Sequence, residues 1–406
     1  MDCDLKMGFA GVLTEGNKWR RVLLAVMFVV SLTHLVTLDR VPWVEPWFVG
    51  SAYNFHQNGS FADPMFPGLV AFEHGSFGQG KLRLLLQASS FDVLGFGLFQ
   101  SRLPMLLGGF LAVFACYKLA AYLWGRSLGL CSAALFLLAP IFFEAHTSGS
   151  HSWLAACFTL AAYFTGRLLQ EGRARFAGYA GLAVGLSVSF HMTGILAVVP
   201  LSVILLWYLV RGRIERVDFA LYLAGGGISF ALWFCLDVVP VGIDAYLAGV
   251  FDRSDVVKAG YLGSRWVSYF IAGRRGAFLE LAPFVLVLTS YPLYREDKVQ
   301  RFTFVYILGL LSGYAVLSGS GSTITVWPLM LALLAGIIPR MLGHRGTQTP
   351  LWRVLSVCGL LLFLAYSSAV QCKRVYTAFY VEPVKEYYDL CERITACIPP
   401  GATVMA

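Results

Sequence analysis

The residues best suited to chemistry in this chain follow its first apolar run. They read Asp39-Arg40-Val41-Pro42-Trp43-Val44-Glu45-Pro46-Trp47-Phe48, then Ala52-Tyr53-Asn54-Phe55 and Gly59-Ser60-Phe61. Two carboxylates and several aromatics thus stand at a membrane edge, in a chain that is 58% hydrophobic and only 13% charged. Soluble domains carry about 25% charged residues. A carboxylate in such a place can take a proton from an incoming hydroxyl, acting as a general base. Glu45 is the first candidate and Asp39 the second. Each also has a plainer reading. Glu45 would suit the positive end of a helix dipole, and Asp39 can pair with Arg40. Carboxylates beside aromatics at this depth point to chemistry on a lipid-linked substrate at the outer face.

Other polar groups recur at the same membrane edge. Glu144 and His146 end one apolar run and His151 opens the next. Ionisable groups there are costly unless they line a polar cavity or snorkel to the interface. Glu73 and His74 form a loop pair that suits substrate contact or solvation. For an anionic group such as phosphate, a guanidinium offers a two-pronged grip. Arg102, at the start of an apolar run, is the first candidate, and Arg265, Arg274 and Arg275 are comparable. Their alternative role is to anchor span ends in the headgroups. Lys81 and Arg83 are weaker candidates, and Lys118 and Asp237 have no evident role. Gly225-Gly226-Gly227 lacks the strand and lysine of a phosphate loop, so it is expected to allow close helix packing.

Apolar runs of about 20 residues, enough to cross hydrocarbon, recur along the chain. They fall near 22–38, 103–123, 127–145, 152–170, 176–190, 193–210, 218–239, 278–294, 302–317, 324–339 and 354–370. The fold class is therefore an all-α polytopic membrane protein of about 11 transmembrane helices. Lys and Arg cluster on alternate connections, as the positive-inside rule expects. That puts residues 1–21 in the cytoplasm, and 39–102 and 240–277 become outer loops of a membrane domain over 22–370. Residues 371–406 form an outer-side segment, with a helix near 382–396 and a strand-like end. Two readings stay open for it: the start of a soluble domain cut short, or a disordered tail. Within the first outer loop, 46–57 and 81–100 read as interfacial helices. The net charge of +8 comes from span ends, which argues against nucleic acid as a partner. Five of the nine cysteines fall inside spans as small hydrophobes, and no Cys/His spacing reads as a zinc site.

The order of these features resembles the GT-C superfamily of integral-membrane glycosyltransferases. The nearest branch holds the dolichyl-phosphate-mannose–protein mannosyltransferases and the aminoarabinose–lipid A transferases. The resemblance rests on Trp43–Phe48 through Gly59-Ser60-Phe61, and on Leu86-Gln87-Ala88 through Gly95 with Arg102-Leu103-Pro104. It rests further on Ala139-Pro140 through His146 to Trp153-Leu154, and on Gly181–Gly194 with its His191-Met192-Thr193-Gly194 turn. In the family's first element an Asp-Glu pair is usual; here Val44 stands at the first position, leaving Glu45. His151 stands where the third element has an Asp.

The resemblance implies an inverting transferase of the cell envelope, in the inner membrane, with its active site outside. The donor would be a polyprenyl-phosphate-linked sugar and the acceptor a lipid, polysaccharide or protein. No cofactor follows with certainty; a divalent metal stays open. Glu45 or Asp39 would then be catalytic. Arg102, Glu73, His74, Glu144, His146, His151, Arg265, Arg274 and Arg275 would bind substrate. Two other readings stand beside this one: a flippase for a lipid-linked sugar, and an inactive relative acting as a partner subunit.

Overall fold

The computed structural model describes residues 45–62, 80–138, 150–247, 287, 297–317 and 325–343. Among these the chain is helical, with no strand beyond a single bridging residue, His191. The helices in order are α1 (Glu45–Asn58), α2 (Lys81–Leu94), α3 (Leu98–Trp124), α4 (Arg126–Leu138), α5 (His151–Glu171) and α6 (Arg175–Phe190). A 3-10 turn (Met192–Gly194) leads into α7 (Ile195–Val210). Then come α8 (Arg216–Trp233), α9 (Lys298–Leu317) and α10 (Trp327–Gly343). The expected spans at 22–38 and 354–370, most of 278–294, most of the second outer loop and the C-terminal segment lie outside the described residues.

Three stretches among the described residues are long and apolar enough to cross a bilayer: Phe99–Trp124, Met192–Val210 and Arg216–Val238. Their surfaces show which way they face. Along α7, Val199, Val203, Leu206 and Val210 are exposed, and along α8 so are Leu221, Ile228 and Phe230. Apolar side chains turned outward on long helices are stable in lipid, where the backbone is satisfied within the helix itself. The inner faces of α3, α5 and α10 instead carry small residues. Ala112, Ala155, Ala161, Ala162 and Ala332 are fully buried in one continuous core.

The glycine run on α8 packs as expected. A methyl at Gly225 would collide with the Gly178 carbonyl, and one at Gly181 with the Tyr222 carbonyl. Helices α6 and α8 therefore meet backbone to backbone, as small-residue seams in membranes allow. The Ser229 hydroxyl donates to the Leu182 carbonyl across this seam at 3.0 Å. Gly227 faces open space and is not part of it.

The two interfacial helices form, with one correction. Helix α1 covers the expected 46–57 almost residue for residue. The second does not run from 81 to 100: it ends at Leu94. Gly95 adopts φ 82°, the left-handed conformation that closes a helix, and its N–H returns to the Phe91 carbonyl. Helix α3 then starts at Leu98, so Arg102 lies in the second turn of a new helix.

Candidate functional site

Helix α2 sits where the outer ends of several elements meet. Its apolar face, Leu84 and Phe91, packs with Ala52 of α1, and Val49 and Phe61 lean on the same cluster. Tyr53 packs at a tilt against Phe96, with ring centroids 4.4 Å apart. His56 of α1 and Asp92 of α2 are hydrogen-bonded through their side chains. Thus α1, which begins at Glu45, is fixed against α2.

The other face of α2 meets α3. Pro104 lacks an N–H, so the Gln100 carbonyl one turn earlier is left without its helical donor. The Ser90 hydroxyl of α2 donates to that carbonyl at 2.5 Å. Gln87 donates its side-chain amide to the Ser101 carbonyl at 2.9 Å. Helix α5 docks on the same stretch: Ser152 donates to the Met105 carbonyl at 2.9 Å and the Trp153 indole to the Pro104 carbonyl at 3.1 Å. Trp153 also stacks on Phe190, at the end of α6, with centroids 4.6 Å apart.

The N-terminus of α2 is held from two sides. The Gly80 N–H donates to the Phe190 carbonyl at 3.1 Å, and a side chain at Gly80 would collide with the Ser189 carbonyl. The Lys81 N–H donates to Asp237 Oδ1 at 3.2 Å. Asp237 belongs to a single π-helical turn, Phe234–Val238, that ends α8.

Three cations are buried in this assembly. Lys81 is 5% exposed and Arg83 and Arg102 are 1% exposed. Lys81 extends over the Phe61 ring, 5.5 Å from its centroid. Burial lowers its pKa, and the nearby charge of Asp237 works against that shift. Burial also disfavours the charge on Arg83 and lowers its pKa, but a guanidinium keeps its proton, so Arg83 remains a cation. Lys81 and Arg83 are two residues apart and so look to different sides of α2. Lys81 looks toward Asp237, while the charge of Arg83 reaches the ring of His151. His151 is the first residue of α5; its Nδ1 is buried without a hydrogen-bond partner among the described residues. Its ring lies 6.1 Å from that of His191, whose Nδ1 accepts from the Thr193 N–H at 3.1 Å.

The structure therefore brings Arg102 and His151 to the same end of the bundle and sets α1, headed by Glu45, against it. Lys81 and Arg83, weak candidates in the sequence, prove to be buried there, and Asp237, which had no evident role, holds the helix that carries them. The sequence signal was available: two basic residues within an apolar run, just after a glycine. Their interfacial reading followed from an assumed amphipathic surface helix, but α2 is covered on several sides. Asp39, Glu73, His74, Glu144, His146, Arg265, Arg274 and Arg275 lie outside the described residues. No group of three His, Cys, Asp or Glu suited to a metal occurs among the described residues.

Comparison with known proteins places this geometry. Residues 82–236, from the second residue of α2 into the π turn, match the model of the dolichyl-phosphate-mannose-protein mannosyltransferase family. The fold is similar to that of ArnT from Cupriavidus metallidurans bound to undecaprenyl phosphate. The TM-score is 0.64 at 16% identity, over 95% of this chain and 82% of that one. The apo state of the same protein gives 0.64 at 17% identity, over 96% and 82% of the two chains. The Archaeoglobus fulgidus oligosaccharyltransferase gives a TM-score of 0.56 at 14% identity, over 93% of this chain and 58% of that one. Comparison with curated sequences finds no match. The chain has the GT-C fold of the mannosyltransferase and ArnT branch, which bears out the resemblance. The matched family and these neighbours are glycosyltransferases, which bears out the expected class of enzyme.

Proposed function

We propose that the protein transfers a sugar from a polyprenyl-phosphate donor to an acceptor nucleophile, with inversion, at the outer face of an inner membrane. The observation that carries this reading is the burial of Lys81, Arg83 and Arg102 in the first two turns of α2 and α3, at one end of the membrane helices. Cations gathered at one membrane edge can stabilise the charge of a phosphate held at the lipid surface.

The chemistry follows from the arrangement. The acceptor oxygen attacks the anomeric carbon, and the bond from that carbon to the phosphate oxygen breaks. The electron pair leaves with the phosphate, and the cations stabilise the charge that develops there. Glu45, at the head of α1, takes the acceptor's proton, with Asp39 as the alternative base. A carboxylate near the sugar also favours the oxocarbenium character of the transition state. Lipid-facing α7 and α8 would guide the prenyl tail, so that the phosphate arrives at a fixed height. His151, beside Arg83, would line the sugar or acceptor side. Glu73, His74, Glu144, His146, Arg265, Arg274 and Arg275 complete the proposed substrate contacts from the outer loops. The basic ends of α5, α6, α7 and α8 would then face the cytoplasm.

ArnT is known with undecaprenyl phosphate bound, and the archaeal oligosaccharyltransferase with an acceptor peptide tethered to it. The first supports a lipid-linked donor for this chain and the second a protein acceptor, so lipid and protein acceptors are the classes to try first. The test is to incubate the purified protein in lipid nanodiscs with radiolabelled polyprenyl-phosphate sugars and membrane extract. Label should move to an acceptor and polyprenyl phosphate should be released. Movement of intact labelled donor between leaflets without transfer would favour a flippase. Neither event, with a correctly folded protein, would leave the partner-subunit reading.

A further inference from the structure

Among the described residues, Asp237 is the one carboxylate seen to contact α2 from a membrane span. It sits 156 residues from Lys81 in sequence, yet its Oδ1 accepts the Lys81 N–H at 3.2 Å. It is 4% exposed, and its Oδ2 has no hydrogen-bond partner among the described residues. The π turn over Phe234–Val238 inserts an extra residue into the helical register at this point. Such turns are frequent at functional sites. The neighbouring Gly80 is pinned to Phe190 and has no room for a side chain. The start of α2 is thus clamped between α6 and the end of α8, and the clamp ends on the residue before and the backbone of Lys81 itself.

We propose that Asp237 is the positioning residue for Lys81: one oxygen caps the first turn of α2, and the carboxylate charge holds the Lys81 ammonium at the phosphate-binding edge. This rests on the reading of Lys81 as part of that edge. A buried lysine readily loses its proton, and among the described residues Asp237 is the one charge that acts on Lys81 against desolvation. The other charged or titratable groups on the elements packed against α2 do not do this. Arg83 on α2 itself and Arg102 on α3 are cations. On α1 and α2, His56 and Asp92 pair with each other at the far end of α2, and Glu45 stands at the opposite end of α1 from His56. Lys118 on α3 lies over Phe114, and Arg175 opens α6, away from its Phe190 end. Tyr246, which follows the π turn, feels the charge of Asp237.

The test measures binding of tritiated polyprenyl phosphate to the full-length protein in nanodiscs over an alkaline pH series. Asp237→Asn keeps an oxygen for the Lys81 N–H and removes the charge. The loss of binding at high pH should move to lower pH by about one unit, the size expected when a close opposite charge is removed. In a Lys81→Arg background the same substitution should move nothing, because a guanidinium keeps its proton. Asp237→Leu removes the cap as well and should lower affinity at every pH, with folding followed by thermal melting. An unshifted limb in Asp237→Asn overturns the proposal, as does an equal shift in the Lys81→Arg background. Lys81→Met separates the two readings. If it binds polyprenyl phosphate as wild type does, the phosphate-edge reading fails. If it loses binding while Asp237→Asn shows no shift, only the role of Asp237 fails.

Discussion

The two ends of the helical bundle treat positive charge in opposite ways. At the end where α5 runs into α6, Arg167 pairs with Glu171 at 2.6 Å and 3.0 Å and lies over the Phe176 ring, 4.1 Å from its centroid. Arg173 is 60% exposed. Arg211 and Arg213 lean on Trp207. These cations reach water or a carboxylate and rest on aromatic collars, as residues that only fix topology and depth should. At the other end, Lys81, Arg83 and Arg102 are almost wholly enclosed. Basic residues at the two membrane edges thus differ in burial. Anchoring needs exposure; holding a ligand's charge warrants enclosure.

Substitutions can break or sharpen this contrast. The largest effect is expected at the enclosed end. Arg83→Met and Arg102→Met should each lower kcat/KM for sugar transfer about 10²–10³-fold, the loss typical of one removed electrostatic stabiliser. Steady-state transfer assays check this. Glu45→Gln should lower kcat by about 10²–10⁴-fold, the worth of a general base, with polyprenyl phosphate binding unchanged. Unchanged transfer would remove Glu45 from the mechanism and bring Asp39 forward. Gly181→Leu forces α6 and α8 apart at a contact with no spare room. It should cost about 1–3 kcal/mol of stability, as overpacking does, read as a lower melting temperature. The smallest effect is expected at the exposed end. Arg167→Gln should leave transfer and polyprenyl phosphate binding at wild-type levels, since exposed ion pairs contribute little.

The helices were legible in the sequence because apolar length is a strong signal. The ends of α5, α6 and α7 fall within two residues of the expected spans. The close seam at Gly225 was legible because three consecutive glycines have few other uses in a span. The break between α2 and α3 was not. Gly95 and Gly97 read as ordinary residues of an apolar pattern until the left-handed turn at Gly95 appears. The burial of Lys81 and Arg83 was signalled only by the apolar run around them, since a basic residue in an outer loop otherwise reads as solvated and only tertiary packing encloses it. Asp237 was hidden most deeply, because its partner lies 156 residues away and no local pattern links them. Arg102 was singled out because anion binding is one role of an arginine at a span start, and the structure places it buried in the second turn of α3.

The central claim is that the enclosed cations exist to hold a lipid-linked phosphate. The direct measurement compares equilibrium binding of polyprenyl phosphate and of the matching polyprenol to wild type and to an Arg83→Met/Arg102→Met double variant. The account predicts that wild type prefers the phosphate by at least about tenfold, the worth of one charge-assisted contact, and that the double variant loses this preference while still binding the polyprenol. Equal affinity of wild type for the two lipids, or a preference that survives in the folded double variant, would contradict it.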